Sequence, residues 1–326
     1  MKSFKLLILI SICAYLSNCF LTRERYEEIK ANVDFEVMEY ETFLEIFGNK
    51  KPEEMSIHKG KNHLLGETEL EFLNKKKTEE VFLDATPLNE IEKSSSGAGI
   101  TPEYFDWRDL YPQCFYPPYN QGDCGSCYSF SATFSLESRM CLKGKGIYRY
   151  RLSQQDVVSC DINNHKCLGD TIVNTYAYLE NYGTCSYDCK PYVSGNLTIP
   201  PCTNSCANRF EPFIRYRALK NSFWASDNID EVKQNIYSYG PLSTFMQTYE
   251  DLGIFKSKGV YEHRFGKQTD FHAIVIIGWG KDAIKNREYW IIRNSWGTDW
   301  GDNGYFKVYF NDYEINSYVC GSIPMI

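Results

Sequence analysis

A glutamine and a cysteine six residues apart, Gln121 and Cys127, are the residues best placed in this sequence to do covalent chemistry. Cys127 lies at the start of a predicted helix, where free backbone N–H groups and the helix dipole stabilise a thiolate and lower the pKa of the thiol. A thiolate is a strong nucleophile, and a side-chain amide beside it can donate to a developing oxyanion. The pair therefore indicates acyl-transfer chemistry.

Such a nucleophile needs a histidine partner, which the fold supplies from a distant part of the sequence. His272 precedes an apolar run at residues 273–277 that is typical of a buried strand, whereas His263 lies in a polar stretch. Asn294 follows a second strand-like run and is suited to orient the imidazole, and Trp296 is suited to shield that hydrogen bond from water. We therefore interpret His272 as the base and Asn294 as its orienting residue.

These motifs resemble the papain family of cysteine proteases over residues 100–326, and most closely its cathepsin B branch. The likeness rests on residues 121–128 around Cys127, on His272 and Asn294, and on residues 105–114 and 189–192. It implies an α+β fold in which a helical subdomain and a β-barrel-like subdomain meet at a cleft. It also implies hydrolysis of peptide bonds through an acyl-enzyme.

The resemblance assigns a role to each candidate site residue. The catalytic set is the nucleophile Cys127, the general base and acid His272, the orienting residue Asn294 and the oxyanion donor Gln121. The substrate-binding set is Gly169, Asp170, Trp296 and Asn316. Asp170 stands where the family has glycine, so its carboxylate is expected to affect the substrate. Asn316 aligns with a cathepsin B carboxylate that accepts arginine, so a neutral pocket floor is expected.

The segment from Cys189 to Cys202 corresponds to the occluding loop of cathepsin B, which uses two adjacent histidines to bind a substrate carboxylate. Here it encloses twelve residues and contains no histidine. The sequence therefore predicts an endopeptidase instead of an enzyme that removes C-terminal dipeptides. Two alternatives remain open: an inactive or weakly active protein that keeps the fold for binding, and a transferase that passes the acyl group to an amine.

Residues 1–19 are typical of a signal peptide, because two lysines precede a short apolar stretch that ends at small residues. That stretch is too short to span a bilayer, and no later segment is long enough, so no membrane span is expected. The protein is expected to enter the secretory route and to reach a lysosome-like or phagosomal compartment or the extracellular space.

Of thirteen cysteines, Cys13 and Cys19 lie in the predicted signal peptide. Disulfides persist in the secretory route, and the papain-family resemblance implies four: Cys114 with Cys141, Cys124 with Cys167, Cys160 with Cys202, and Cys189 with Cys206. Cys185 and Cys320 remain unassigned. The alternative is a metal site formed by Cys160, His165 and Cys167, which an oxidising compartment disfavours. Asn196 begins the single glycosylation sequon and is expected to carry a glycan.

Residues 20–99 carry 18 acidic against 11 basic side chains and end in a Ser- and Gly-rich linker at residues 94–99. A cleavable linker directly before a protease-like start predicts an inhibitory propeptide, with helices within residues 26–47 and 68–77. An ordinary N-terminal extension is the alternative. The protease domain is then residues 100–326, expected to act as a monomer on peptide or protein substrates.

Local patterns predict helices first and strands later, which is an α+β arrangement. The helix after Cys127 is expected to be buried on more than one side. Three further helices are predicted: one capped by Ser153, one over residues 172–179, and one that begins at Asp227 and ends at Gly240. Residues 305–310 alternate like a strand with one buried face.

Composition agrees with a globular protein, because 326 residues with 43% hydrophobic content can bury a large core. The net charge of −7 comes mostly from the N-terminal segment, since residues 100–326 carry 22 basic against 24 acidic side chains. No basic patch with interleaved aromatics indicates nucleic-acid binding. No cofactor or metal centre is expected.

Overall fold

The helices and strands occupy largely separate parts of the chain, for which a computed structural model describes residues 21–47 and 101–326. The helices are α1 (Arg23–Asn32), α2 (Tyr40–Phe47), α3 (Trp107–Leu110), α4 (Cys127–Lys143), α5 (Gln154–Cys160), α6 (Ile172–Asn181), α7 (Ile229–Tyr239) and α8 (Glu250–Gly253). The strands are β1 (Phe105–Asp106), β2 (Arg217–Ala218), β3 (Trp224–Ser226), β4 (Leu242–Tyr249), β5 (Val260–Tyr261), β6 (Gln268–Asp282), β7 (Arg287–Arg293), β8 (Tyr305–Tyr309), β9 (Val319–Gly321) and β10 (Pro324–Met325). Short 3-10 turns lie at Pro112–Cys114, Lys166–Leu168, Ser194–Asn196 and Asp312–Glu314. The predicted α+β class is confirmed.

Helix α4 lies at the centre of the helical part, and every residue from Cys127 to Leu142 is buried. Its small polar side chains bond to the surrounding backbone: Ser131 Oγ donates to Ile274 O at 2.7 Å, and Ser135 Oγ donates to Pro241 O at 2.8 Å. These bonds satisfy buried hydroxyl groups that would otherwise be costly. The predicted burial of this helix on more than one side is confirmed.

The helix ends follow the predicted signals with one correction. Ser153 Oγ accepts a hydrogen bond from Asp156 N at 3.0 Å, as expected of an N-cap. At α7 the predicted cap, Asp227, is wrong by one residue. Asn228 Oδ1 accepts from the backbone N–H groups of the first turn. Asp and Asn cap helices about equally well, so residue type alone could not separate two neighbours.

The region at residues 26–47 forms two helices, α1 and α2, instead of one. Between them Val37 pairs with Phe255 in an isolated β-bridge, and Met38 N donates to Ile254 O at 3.0 Å. Pairing with a distant part of the chain therefore occupies the segment that separates α1 from α2. The helix predicted at residues 68–77 lies outside the described residues.

The main sheet has the strand order β3-β9-β4-β6-β7-β8-β5, and β1 also pairs with β6. All its pairs are antiparallel except β5 with β8, which are parallel. The long strand β6 lies between β4 and β7, so it receives hydrogen bonds along both edges. The apolar run at residues 273–277 is confirmed as a buried strand, and His272 lies on that strand instead of before it.

Both faces of the sheet are covered, which corrects the prediction for residues 305–310. Phe306 and Val308 are buried on one face, as the alternation indicated. Tyr305 is also buried, on the opposite face, where it joins a cluster with Phe134 of α4. The alternating pattern did not reveal this second layer, because tyrosine is compatible with either exposure or burial.

Two large apolar clusters adjoin in the described residues. One joins side chains of α4, α5 and α6 with Ala273 and Cys320, and the other joins many sheet residues with residues of the N-terminal segment. The clusters adjoin where α4 crosses β6, since Ala273 belongs to the first and Ile274 to the second. Cys127, in the first cluster, and His272, directly before Ala273, lie along this junction.

The structure forms the four disulfides that the resemblance implied, Cys114 with Cys141, Cys124 with Cys167, Cys160 with Cys202, and Cys189 with Cys206. The alternative metal set is thereby overturned, because Cys160 and Cys167 each form a disulfide. Cys185 and Cys320 form no disulfide in the described structure; both are buried. Burial raises the pKa of the Cys185 thiol to about 12.

Glu137 of α4 gives the fold a pH dependence. Its carboxylate accepts a hydrogen bond from Leu152 N at 2.7 Å. Burial raises the pKa of Glu137 to about 7, although the charge of Arg293 and the Leu152 N–H both oppose the rise. A carboxyl with a raised folded-state pKa costs nothing below its ordinary pKa and destabilises increasingly as the pH rises through the folded value.

We therefore expect Glu137→Gln to gain stability relative to the wild type as the pH rises from about 5 to about 8, by at most about 3 kcal/mol. Urea unfolding at several pH values measures this difference. Glu103→Gln, which alters an exposed glutamate, is the control. Parallel stability curves for wild type and Glu137→Gln would contradict the expectation.

Candidate active site

Cys127 is the first residue of α4, so its backbone N–H lies in the helix turn that lacks intrahelical acceptors. Its Sγ accepts a hydrogen bond from Ala273 N at 3.4 Å. Because Ala273 directly follows His272 on β6, this contact brings the sulfur beside the histidine. The structure thus unites residues that are 145 positions apart in the sequence.

His272 on β6 and Asn294, which directly follows β7, form a buried pair. His272 Nε2 lies 2.7 Å from Asn294 Oδ1, and the same oxygen accepts from Ser295 N at 2.7 Å. A backbone N–H can only donate, so the atom facing it is the amide oxygen. His272 Nε2 must then be the protonated ring nitrogen, which makes Nδ1 the basic nitrogen of the neutral ring.

Trp296 covers this pair. Its ring stacks on the His272 imidazole with centroids 4.7 Å apart and an interplanar angle of 24°. Trp296 and His272 are only 3% and 4% exposed. Because water is excluded from the pair, the imidazole is held in a single orientation.

Burial lowers the pKa of His272 to about 4, although the hydrogen bond to Asn294 partly opposes this shift. A protonated imidazole at this position therefore requires a negative charge close by. Cys127, whose Sγ accepts from Ala273 N, is the neighbouring candidate for that charge.

Gln121 is fully buried beside the nucleophile. Its Oε1 accepts a hydrogen bond from Ser295 Oγ at 2.6 Å, and its Nε2 donates to Cys124 O at 3.0 Å. These two bonds fix which end of the amide is the donor, and they direct the N–H groups toward the turn that precedes Cys127. Ser295 was not identified in the sequence, because nothing in its neighbourhood separates it from an ordinary loop serine.

Residues 101–323 match a family described as papain family cysteine protease. The chain belongs to the papain family. It is 37% identical to cathepsin B-like CP1 of Giardia intestinalis over 209 residues, which cover 64% of this chain and 68% of that protein. It is 31% identical to cathepsin B-like cysteine proteinase 4 of Caenorhabditis elegans over 274 residues, 74% of this chain and 81% of that protein.

Solved structures of precursor forms also resemble the chain. Procathepsin B S9 of Trypanosoma congolense matches with a TM-score of 0.65 at 27% identity, covering 70% of this chain and 79% of that chain. Procathepsin L2 from the larval midgut of Tenebrio molitor matches with a TM-score of 0.56 at 26% identity, covering 71% of this chain and 70% of that chain. The protein is thus a cathepsin B-like cysteine protease of the papain family, with a papain-like fold.

In this papain-family site, the end of α2 contacts the tryptophan that covers the histidine. The ring of Phe47 packs against Trp296 edge to face, with centroids 5.2 Å apart. Asn120 Nδ2, in the loop beside Gln121, donates to Ile46 O at 3.2 Å. The N-terminal segment therefore reaches one end of the candidate active site. No periodic pattern in the sequence predicted this contact.

The same N-terminal segment is held by two ion pairs at its other end. Arg25 Nη2 lies 2.5 Å from Glu250 Oε2, and Arg264 Nε lies 2.9 Å from Asp34 Oδ1. The hydrogen bond from Arg264 lowers the pKa of Asp34. Burial raises the pKa of Glu250, but the hydrogen bond from Arg25 and other positive partners outweigh it, so the net shift is downward.

The structure corrects two substrate-binding assignments. Asp170 is 2% exposed, and its Oδ1 accepts from Asn174 Nδ2 of α6 at 3.1 Å, so the carboxylate is directed to the helix instead of the substrate. Asn316 is also buried: its Oδ1 accepts from Trp290 Nε1 at 2.6 Å and its Nδ2 donates to Asn311 Oδ1 at 2.9 Å. It does not form an open pocket floor.

Gly169, directly before Asp170, has a φ of 100°. Residues with side chains rarely adopt that conformation, so glycine is required at this turn.

The cleft wall beyond His272 is aromatic. Phe245 pairs with Ala273 across β4 and β6, and its ring contacts Tyr318 and Phe271 with centroids 6.4 and 5.9 Å apart. These three rings are half-buried.

Mild acid is expected to leave the N-terminal segment in place. Carboxylates with lowered pKa values stabilise their ion pairs above their ordinary range and lose that contribution only as the pH falls through the lowered values. We expect hydrogen-exchange protection of residues 21–47 to persist at about pH 5.5 and to fall below about pH 4. The double variant Asp34→Asn and Glu250→Gln, which removes both titrating carboxyls, is expected to lose this step. Full loss of protection at about pH 5.5 in the wild type would contradict the expectation.

Proposed function

We propose that the protein is a cysteine endopeptidase that acts through a Cys127 acyl-enzyme. The observation that carries this proposal is the hydrogen bond between Ala273 N and Cys127 Sγ, since it places the sulfur beside the oriented His272–Asn294 pair. In this mechanism the thiolate attacks the substrate carbonyl carbon. The Gln121 amide and the Cys127 backbone N–H donate to the resulting oxyanion.

Proton transfer is assigned to His272. With Nε2–H donated to Asn294, the proton on Nδ1 of the imidazolium passes to the departing amine, and the acyl-enzyme remains. Water then attacks the thioester while Nδ1 accepts its proton, which releases the acid product and regenerates the thiol–imidazole pair. Trp296 keeps bulk water away from the Nε2 hydrogen bond during both steps.

We also propose that residues 20–99 are an inhibitory propeptide, which is released by cleavage within residues 94–99. The contact between Phe47 and Trp296 supports this role, because it places the N-terminal segment at the active site. The precursor structures that resemble the chain support it too. The linker itself lies outside the described residues. A signal peptide at residues 1–19 would direct the precursor to the secretory route, and the four disulfides fit an acidic lysosome-like or an extracellular destination.

The substrate side chain two residues before the scissile bond is proposed to contact the aromatic wall formed by Phe245, Phe271 and Tyr318. These rings lie on β4, β6 and the segment before β9, next to Ala273. Because the wall is aromatic, apolar substrate side chains are expected to bind better than arginine.

Cleavage of internal bonds is proposed because residues 101–326 offer no histidine pair to bind a substrate C-terminus. The segment from Cys189 to Cys202 contains no histidine. His263 Nδ1 is bonded to Asp251 Oδ1 at 2.9 Å, and His165 lies near Asp170 at 4.0 Å. The short segment from Cys189 to Cys202 is fixed against the active-site loop, since Asp123 N donates to Gly195 O at 2.8 Å.

Asn196 is exposed in the same segment and is proposed to be glycosylated.

Replacing either member of the reactive pair tests the mechanism. We expect Cys127→Ala and His272→Ala to lower kcat by at least about 10³-fold, because each removes a group that takes part in bond making. Gln121→Ala is expected to lower kcat by about 10²–10³-fold through loss of one oxyanion donor. Cys185→Ala, which alters a buried thiol outside the site, is the matched control.

Peptidase assays on the processed enzyme and circular dichroism of each variant provide the measurement. A thiol-directed epoxide is expected to label Cys127 once per molecule. Nearly full activity in Cys127→Ala would rule out the acyl-enzyme.

The products formed from a long peptide distinguish cleavage of internal bonds from removal of C-terminal dipeptides. Internal fragments are expected, with cleavage after sites that have an apolar residue two positions upstream, because the cleft lacks a receptor for the C-terminal carboxylate. Mass spectrometry of a time course identifies the products. Stepwise loss of C-terminal dipeptides from the same peptide would show that the cleft is closed at that end.

A further inference from the structure

A small cavity of about 20 Å³ is lined by Asn294, Gln154 and Tyr119. The rest of its lining comes from α4, strand β6, Arg293 at the end of β7, and Ser295. A volume of about 10–15 Å³ is enough for one water molecule when two or more polar partners surround it. The cavity therefore has room for a single water.

Asn294 supplies a hydrogen-bond donor to this cavity. Its Oδ1 accepts from both Ser295 N and His272 Nε2, so Nδ2 is the opposite end of the amide. Nδ2 is buried and has no hydrogen-bond partner among the described residues. A buried donor without a partner costs free energy, so an acceptor is required there.

Gln154 supplies an acceptor to the same cavity. Thr133 Oγ1 donates to Ser129 O at 2.6 Å, which leaves its lone pairs to accept from Gln154 Nε2 at 2.9 Å. The Gln154 amide is therefore oriented with Oε1 as its remaining atom. Oε1 is buried, and within residues 21–47 and 101–326 nothing donates to it.

Tyr119 adds a third polar group. Its hydroxyl is buried and lacks a partner in the described part of the chain. Its ring is held independently by parallel stacking on Tyr187, with centroids 4.8 Å apart, and by the Arg151 guanidinium 4.5 Å above it. One donor, one acceptor and one hydroxyl thus line one water-sized space, each oriented by contacts outside that space.

We propose that the cavity binds one structural water, which accepts from Asn294 Nδ2 and donates to Gln154 Oε1, with the Tyr119 hydroxyl as a further partner. Gln154 and Tyr119 then act as positioning residues for the catalytic imidazole. This inference rests on the proposed function of His272 and Asn294.

The water matters because an amide can rotate by half a turn. Rotation of the Asn294 amide would place Nδ2 against His272 Nε2–H, where two donors would face each other. The water faces Asn294 with its oxygen, because it donates a hydrogen to Gln154 Oε1. It therefore stabilises the orientation in which Nδ2 points to the water and Oδ1 points to His272. Loss of the water therefore weakens the hydrogen bond that stabilises the imidazolium.

Three variants test the positioning role in the processed, full-length protease domain. Gln154→Met removes the acceptor at similar volume, and Tyr119→Phe removes only the hydroxyl. Ser135→Ala, which removes a buried hydroxyl of α4 that does not line the cavity, is the matched control. The readouts are kcat, KM and the alkaline limb of the pH profile of kcat/KM.

We expect Gln154→Met and Tyr119→Phe each to lower kcat by about 3- to 10-fold while KM changes by less than about twofold. The alkaline limb, which reports loss of the imidazolium proton, is expected to move to lower pH in both variants. Ser135→Ala is expected to lose stability while it keeps the wild-type kcat and limb. If both cavity variants keep the wild-type kcat and limb, the positioning role is wrong.

A crystal structure of the wild type at better than about 1.5 Å tests the water directly. We expect one density peak within hydrogen-bond distance of Asn294 Nδ2 and Gln154 Oε1, and its loss in Gln154→Met. A cavity without density in the wild type would overturn the proposal. An inactive wild type would instead overturn the proposed function, and the crystallographic result would still decide whether the water is bound.

Discussion

The hydrogen bond between His272 and Asn294, made in a site from which water is excluded, is the interaction on which the chemistry depends. The same burial that fixes the imidazole also lowers its pKa to about 4. An imidazolium there is stable only beside a negative charge, and Cys127 Sγ is held next to the histidine strand. In the proposed mechanism the Cys127 thiolate supplies that charge, so nucleophile and acid act as one unit.

The fold supplies the rigidity that this unit needs. His272 lies inside β6, a strand with hydrogen-bonded neighbours on both edges, and Asn294 directly follows β7. Cys127 begins α4, whose buried hydroxyl groups bond to the sheet and to neighbouring backbone. The Cys124–Cys167 disulfide joins the turn before the nucleophile to the turn before Gly169. The side chains of Cys127, His272 and Asn294 are therefore positioned by helices and strands that bond to other parts of the fold.

Two kinds of pH response follow from where the carboxyl groups lie. Glu137 is buried in the helical cluster with a raised pKa, so it favours the folded enzyme in acid. Asp34 and Glu250 have lowered pKa values because arginines face them, so the N-terminal segment keeps its ion pairs through mild acid. An acidic compartment would accordingly stabilise the protease more than it would loosen the segment that contacts Trp296.

The sequence by itself predicted the candidate reactive residues, because a cysteine at a helix start, a histidine on an apolar strand and a following asparagine carry local signals. It also determined the helix around Cys127 and the cap at Ser153, since both depend on neighbouring residues. The disulfide pairs could be predicted only through the family resemblance, because cysteine spacing does not specify pairing.

Tertiary structure decided the rest. Whether Asn316 faces substrate or core depends on a distant group, Trp290, which donates to it. The two-sided burial of β8 depends on α4, and the segment between α1 and α2 pairs with Phe255. The aromatic wall, the contact of Phe47 with Trp296 and the cavity lined by Asn294 each join segments far apart in the chain. Local sequence patterns report a residue's own neighbourhood, whereas these features arise only when separate elements pack together.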